Sequence, residues 1–525
     1  MATRPSIRKD PGMSTVETIS PRAIRAKSIS KNLSGEALRA LARAGEKTTV
    51  YGSPVYSTRV KNRSAKNTYI VADGLEVGVM QQPMDPRRAQ DLVRQVQEAL
   101  ADMELIQVDR RMGEDSEATL RCRLFVPKEY ARIAFMWHNM LFPSASTFEP
   151  DFVSVYVPDW PERIIFCDVT KGYTYILGTD YPGEAKKSML RQAMYWIKRR
   201  GGLGLHAGSK ILRVLGPDGK LRDVGFLLFG LSGTGKTTLT LHDHGLKEPE
   251  KAIIKQDDVV LLTRQGRAFG TEDGFYIKTE GLEPSQTVLW GAATHPTAAY
   301  ENIKVYDDGR VDFLDTSITS NGRGVVLRRY IQGTGEGIDL PKANKIVFIT
   351  RRNDIVPVCA RLTSEQAAAY FMLGESIETS AGDPTKAGQA KREVGTNPFI
   401  VGPESEEGNR LLAILRENPD MQAYILNTGS IGAKDGSPGE KISIKVSTEI
   451  MKQVAKEAIA WEKDPDWGYE VPTTVPGLDL TRYTPRRSYT PEAYRQLVEK
   501  LRTERRSWLA KFPGLDPAIP RAIEP

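Results

Sequence analysis

Residues 230–237 read Gly-Leu-Ser-Gly-Thr-Gly-Lys-Thr, a GxxxxGK[ST] pattern, and the apolar run Val224–Phe229 leads straight into it. Strand, glycine-rich loop and helix in that order are what a phosphate-binding loop requires, which points to an α/β architecture. Glycines at 230, 233 and 235 let successive amides turn toward one centre without Cβ clashes, and the following helix presents its positive N-terminus to phosphate oxygens. Lys236 can neutralise β- and γ-phosphate oxygens. Thr237 places a hydroxyl where a phosphate-bound Mg²⁺ needs an oxygen. The expected nucleotide site therefore comprises Gly230, Leu231, Ser232, Gly233, Thr234, Gly235, Lys236, Thr237 and Thr238.

Downstream, Ala252-Ile253-Ile254 and then Asp257-Asp258 make an apolar strand followed by aspartates, the element with which phosphate-loop proteins hold a metal. Either carboxylate could be the ligand.

Upstream, Ser34 can cap a short helix through Leu38 and Leu41, and Pro86 to Met103 carries Leu92, Val96 and Leu100 four apart, as an amphipathic helix does. β-like runs follow at Leu105–Val108, Phe152–Val157 and Tyr173–Leu177. A helix from about Glu184 stops at Gly201-Gly202, where a domain boundary is expected. Beyond it, Leu203–Leu215 and Val224–Phe229 read as two strands joined by the turn Gly216-Pro217-Asp218-Gly219. Gly382–Gly408 and Gly432–Glu440 read as surface loops, either of them a candidate lid.

A chain of 525 residues exceeds what one core usually serves, so two lobes are expected: 33–201, and 202–525 with the phosphate loop, after a basic tail over 1–32 expected to be disordered. The net charge of +7 comes from 73 basic residues scattered among 66 acidic ones, which suits small anionic ligands and gives no nucleic-acid footprint. No apolar run is long enough to span a membrane, and no apolar stretch follows the charged N-terminus as in a secretory signal. Three isolated cysteines fit a reducing cytoplasm. Oligomeric state is left open.

Leu228 to Thr238 resembles the phosphate-loop signature of the ATP-dependent phosphoenolpyruvate carboxykinases, and other segments fall in the same order. Gly178-Thr179-Asp180-Tyr181-Pro182-Gly183-Glu184-Ala185-Lys186-Lys187 is similar to that family's tyrosine and double-lysine segment, with His206 following. Arg63 in Asn62-Arg63-Ser64, Lys278 in Phe275-Tyr276-Ile277-Lys278, and Arg323 in Asn321-Gly322-Arg323 resemble its active-site cations. The likeness runs over roughly residues 33 to 515. It implies a two-lobed fold of mixed α+β lobes, an N-terminal substrate-binding domain, a C-terminal nucleotide-binding and catalytic domain, and conversion of oxaloacetate and ATP to phosphoenolpyruvate, CO₂ and ADP.

By the same resemblance, Lys187, His206 and Asp258 hold Mn²⁺ and Thr237 serves the Mg²⁺ of ATP. A lysine ligates only when neutral. Arg63 and Tyr181, with Lys187 and Ser232, meet the oxaloacetate, while Arg323, Lys236 and Lys278 surround the transferring phosphoryl group. The adenine side falls to Lys441, Ile442 and Ser447. The chain departs from the family pattern at Lys255-Gln256, before the aspartates, at the stretch around Gly382–Val401, and at Lys441 and Ser447. Two other readings compete: a phosphate-loop kinase with another acceptor, and a non-catalytic nucleotide-binding regulator. Arg63 argues against the first, since a protein serine needs no dicarboxylate-binding arginine. The joint presence of Lys187, His206, Asp258 and Arg323 argues against the second.

Overall fold

The computed structural model describes residues 20–144, 148–231, 233–335, 337–377, 389–434 and 436–524. Among them two large sheets dominate a mixed α/β architecture. The first has nine strands, running in space from Ser28–Lys31 through Glu104–Met112, Leu120–Pro127, Phe152–Val157, Tyr173–Leu177, Ile164–Asp168 and Thr68–Val71 to Pro83–Met84, with Phe142–Pro143 paired at one side. Phe152–Val157 and Tyr173–Leu177 are buried along their whole length. That is why they read as unbroken apolar runs. The helix Pro86–Leu100 covers one face; Asp85 caps it by accepting from the Arg87 and Arg88 amides, Pro86 supplies the first turn, and Leu92, Val96 and Leu100 are buried.

This sheet starts earlier than the sequence suggests. Residues 28–31, expected to lie in a disordered tail, pair in parallel with Glu104–Gln107, and Ile24, Ala26 and Ile29 pack on the core beneath. These three apolar side chains give the segment a buried face, which fixes its place on the sheet. The rest of the expected tail, 1–19, lies outside the described residues.

The second large sheet has eight strands in the order Lys251–Gln256, Ala207–Leu215, Leu221–Gly230, Lys345–Thr350, Gln422–Asn427, Cys359–Leu362, Glu470–Thr474 and Ala460–Lys463. Leu221–Gly230, the strand that leads into the phosphate loop, is internal to it, paired antiparallel on one side and parallel on the other.

A third sheet draws strands from both halves of the chain. Its order is Gly274–Lys278, Arg323–Leu327, Ala299–Glu301, Pro54–Tyr56 and Glu46–Thr48, with Val55 opposite Tyr300. A cut at Gly201-Gly202 would separate the two large sheets but leave 46–56 with the wrong half, so the expected boundary is not a clean division.

The stretch expected as a surface loop over 382–408 also differs. Residues 378–388 lie outside the described part, but Ala390–Arg392 form a strand, Val394 and Phe399 to Val401 are buried, and a helix begins at Glu404. By contrast, residues 432–439 connect the short paired strands Ser430–Ile431 and Glu440–Lys441.

Candidate active site

The loop after Leu221–Gly230 has the backbone its glycines permit: Gly233 and Gly235 take φ of +82° and +98°, and the helix Lys236–Leu241 follows directly. Arg351 Nη1 donates to the Gly233 carbonyl at 2.9 Å, Thr428 Oγ1 to the Thr234 carbonyl at 2.7 Å, and Thr234 Oγ1 to the Leu231 carbonyl at 2.8 Å. These bonds occupy carbonyl oxygens that would otherwise repel phosphate. Ser232 lies outside the described residues.

At the far end of the same helix, the fully buried Lys210 donates from Nζ to the carbonyls of Leu239 (3.0 Å) and His242 (2.5 Å) and to His244 Nε2 (3.0 Å). His244 Nδ1 in turn donates to the Thr448 carbonyl at 3.0 Å. A cation at a helix C-terminus is favourably placed. Its burial nonetheless lowers the ammonium to about 7.

The run expected as one strand over Leu203–Leu215 is in fact two, broken at His206. Leu203–Leu205 pairs with Val260–Leu262 in a small sheet, whereas Ala207–Leu215 belongs to the large one. Asp257 and Asp258 sit at the matching break between Lys251–Gln256 and Val260–Leu262. Two passes of chain leave one sheet for another side by side, and there the ionisable groups meet.

His206 Nε2 lies 3.0 Å from Asp258 Oδ1; Lys236 Nζ lies 3.2 Å from the same oxygen and 3.5 Å from His206 Nε2. His206 Nδ1 donates to the Thr396 carbonyl at 2.7 Å, which turns Nε2 toward Asp258 and Lys236. Lys186, Lys236 and His206 together hold the Asp258 carboxyl well below the usual carboxylate range despite its burial. Asp257 points elsewhere: its Oδ2 accepts from Thr237 Oγ1 at 3.1 Å, its Oδ1 is buried without a partner, and burial raises its pKa.

Both spots suit a divalent cation by their donors, an imidazole nitrogen with a carboxylate in one and a hydroxyl with an orphaned carboxylate oxygen in the other. Among the described residues no three His, Cys, Asp or Glu side chains cluster to hold a metal, so lysine, substrate or water must complete either set.

Of the two adjacent lysines, Lys186 touches Asp258, at 2.6 Å, and lies 3.1 Å from Glu272. Lys187 lies 3.7 Å from Glu184 and 4.6 Å from the centre of the Tyr181 ring. Successive residues of a helix point about 100° apart, so the two lysines cannot reach one carboxylate from the same side. Tyr181 is itself buried.

Arg63 comes from a loop clamped by residues that the sequence reading passed over. The buried Asp180 accepts from the Arg59 and Val60 amides at 2.9 Å each and from Arg132 Nη2 at 2.7 Å, and Glu184 Oε1 accepts from the Ser64 amide at 2.7 Å. Asn321 ties the same loop to Arg323: its Nδ2 donates to the Lys61 carbonyl at 2.7 Å, and its Oδ1 accepts from Arg323 Nε and Nη2 at 3.0 and 2.8 Å. Lys278 pairs with Glu280. Arg63 and Lys187 both line a cleft of about 240 Å³. Asp180 and Glu184 flank Tyr181 in the sequence, and the three-residue step from Glu184 to Lys187, one face of a helix, was the signal available.

Of the residues expected on the adenine side, Ile442 is buried in the core, Ser447 lies in the helix Ile444–Lys456 with its Oγ buried and unpartnered, and Lys441 is exposed.

A family model described as phosphoenolpyruvate carboxykinase matches residues 27–481. The chain is 40% identical over 412 residues to the phosphoenolpyruvate carboxykinase (ATP) of Aeropyrum pernix, covering 78% of this chain and 81% of the relative. It is 27% identical over 484 residues to that of Sinorhizobium medicae, covering 86% of each, and 28% identical over 502 residues to that of Geobacillus thermodenitrificans, covering 89% of this chain and 90% of the relative.

Proposed function

The chain belongs to the ATP-dependent phosphoenolpyruvate carboxykinase family, and we propose that the cations gathered around Asp258 and the loop bearing Arg63 carry its reaction. The enzyme decarboxylates and phosphorylates oxaloacetate with ATP, giving phosphoenolpyruvate, CO₂ and ADP, with gluconeogenesis as the usual setting and a divalent metal required.

The C3–C4 bond of oxaloacetate breaks, CO₂ leaves, and the electron pair moves to the keto oxygen, which attacks the γ-phosphorus as ADP departs. Arg63 offers a planar fork to a substrate carboxylate and Tyr181 orients the substrate beside it. Lys236, Lys278 and Arg323 offset charge on the transferring phosphoryl group. His206 and Asp258, with Lys187, would hold Mn²⁺, and Thr237 with Asp257 would hold the Mg²⁺ of ATP. Bound cations at these positions would stabilise negative charge on the keto and phosphate oxygens. His206 needs Nε2 unprotonated for this, while its Nδ1–H donates to the Thr396 carbonyl. Ile442 and Ser447 would flank the adenine, with Lys441 at the rim.

The observation that carries this reading is the convergence of His206, Lys236 and Asp258 within 3.5 Å. A cytoplasmic setting is in keeping with three buried, unpaired cysteines. No helix among the described residues is long and apolar enough to cross a membrane. The assay is direct: protein, oxaloacetate, ATP, Mg²⁺ and Mn²⁺, with phosphoenolpyruvate followed over time. Product should form and should be abolished in Lys236→Ala and Arg63→Ala; ATP binding without product in the unaltered protein would refute the assignment.

A further inference from the structure

Glu184, Lys187 and Arg191 project from one face of the helix Gly183–Lys198 at spacings of three and four residues, and all three line the cleft that Arg63 enters. Glu184 holds the Ser64 amide, and Lys187 rests between Glu184 and Tyr181. Arg191 is different. It is 6% exposed, yet among the described residues no acceptor lies within hydrogen-bonding distance of its guanidinium. Its guanidinium lies over the ring of Phe399, 5.9 Å from Cζ, and the same ring meets His206, 5.7 Å away between ring centres.

A guanidinium carries five donors, and the described residues supply this one with no acceptor, so an anion entering the cleft would meet donors that are not already taken. Burial lowers its pKa and Arg63 lowers it further, against the opposing charge of Glu184. The geometry points to Arg191 as a second substrate-binding arginine that, with Arg63, cradles a carboxylate of the four-carbon diacid. The carboxylate so held is the one that the product keeps, because a guanidinium bonded to the departing group would oppose its loss as uncharged CO₂. This rests on the reaction assigned above. Binding a group that is unchanged between ground and transition states acts on KM more than on kcat.

The test uses the full-length enzyme and oxalate, an unreactive dianion, beside oxaloacetate. In Arg191→Met, KM for oxaloacetate and the dissociation constant of oxalate by calorimetry should both rise by about tenfold or more, while kcat, KM for ATP and ADP affinity stay within about twofold. Arg191→Lys, which keeps charge without the fork, should fall between. Where Arg191→Met does not fold, Arg191→Gln takes its place in the same measurements. A folded variant that binds oxalate as tightly as the unaltered enzyme overturns the proposal, as does an equal loss of ADP and oxalate affinity. Turnover by the unaltered enzyme tests the reaction and oxalate affinity tests Arg191, so the two fail separately.

Discussion

Lys278 and Arg323 stand directly opposite one another on the antiparallel strands Gly274–Lys278 and Arg323–Leu327. Like charges so placed disfavour the pairing; Glu280 offsets Lys278, and a phosphate held by both cations would relieve the repulsion further. ATP should therefore raise the thermal stability of the enzyme, and Arg323→Met should diminish that rise while lowering kcat on the order of a hundredfold. Thermal unfolding with and without ATP, beside phosphoenolpyruvate formation, checks both. An undiminished shift on adding ATP would take Arg323 away from the phosphate.

Asp180 governs the Arg63 loop without touching substrate. Asp180→Ala leaves Arg132 without its 2.7 Å partner, a loss worth about 3–5 kcal/mol for a buried pair. It also frees the Arg59 and Val60 amides. KM for oxaloacetate should climb and KM for ATP should hardly move. Equal changes in both would mean that the clamp serves the whole fold and not the loop.

Asp257 and Asp258 face different partners, so their asparagine variants should separate. Asp258→Asn should weaken Mn²⁺ binding, followed by paramagnetic resonance, by at least tenfold, since even supporting residues around a metal carry about that much. Asp257→Asn should leave that signal and raise KM for MgATP. Chelator should stop turnover, and added Mn²⁺ should restore it in the unaltered enzyme. If both variants lose the same metal signal, the two-site division is mistaken.

Lys210 sets a pH dependence of stability. Burial depresses its ammonium from 10.5 to about 7. Between those values the unfolded chain binds a proton that the native protein does not, so this group's contribution to stability rises with pH from about 7 upward. Unfolding measured from pH 6 to 9.5 should show the unaltered protein gaining on Lys210→Met as pH climbs, at a slope of up to about 1.4 kcal/mol per pH unit. Parallel curves would mean that the three hydrogen bonds of Lys210 keep it charged throughout.

Local signals carried the sequence reading well and non-local ones defeated it. The helix Gly35–Ala42 has Ser34 accepting from the Ala37 amide, the cap its sequence advertises. The phosphate loop is legible because its chemistry is contiguous. His206 is harder: an apolar run on both sides conceals that the chain changes sheets there, since periodicity reports burial and not strand partners. The roles of Asp180, Glu184 and Lys186 depend on which loop folds over the helix, and adjacent lysines look interchangeable until helix geometry divides them. Arg191 reads as an ordinary helix charge, and only its burial beside Phe399 distinguishes it.

The third sheet has a consequence for how the molecule is made. Val55 leaves the ribosome long before Tyr300, its partner across the sheet. At roughly 5–20 residues per second, the edge of Pro54–Tyr56 stays uncovered for on the order of ten seconds or more. The segment that ends in the Arg63 loop is thus completed only by late-arriving chain, and a nascent polypeptide halted midway would present an open β-edge at Pro54–Tyr56, just ahead of that loop.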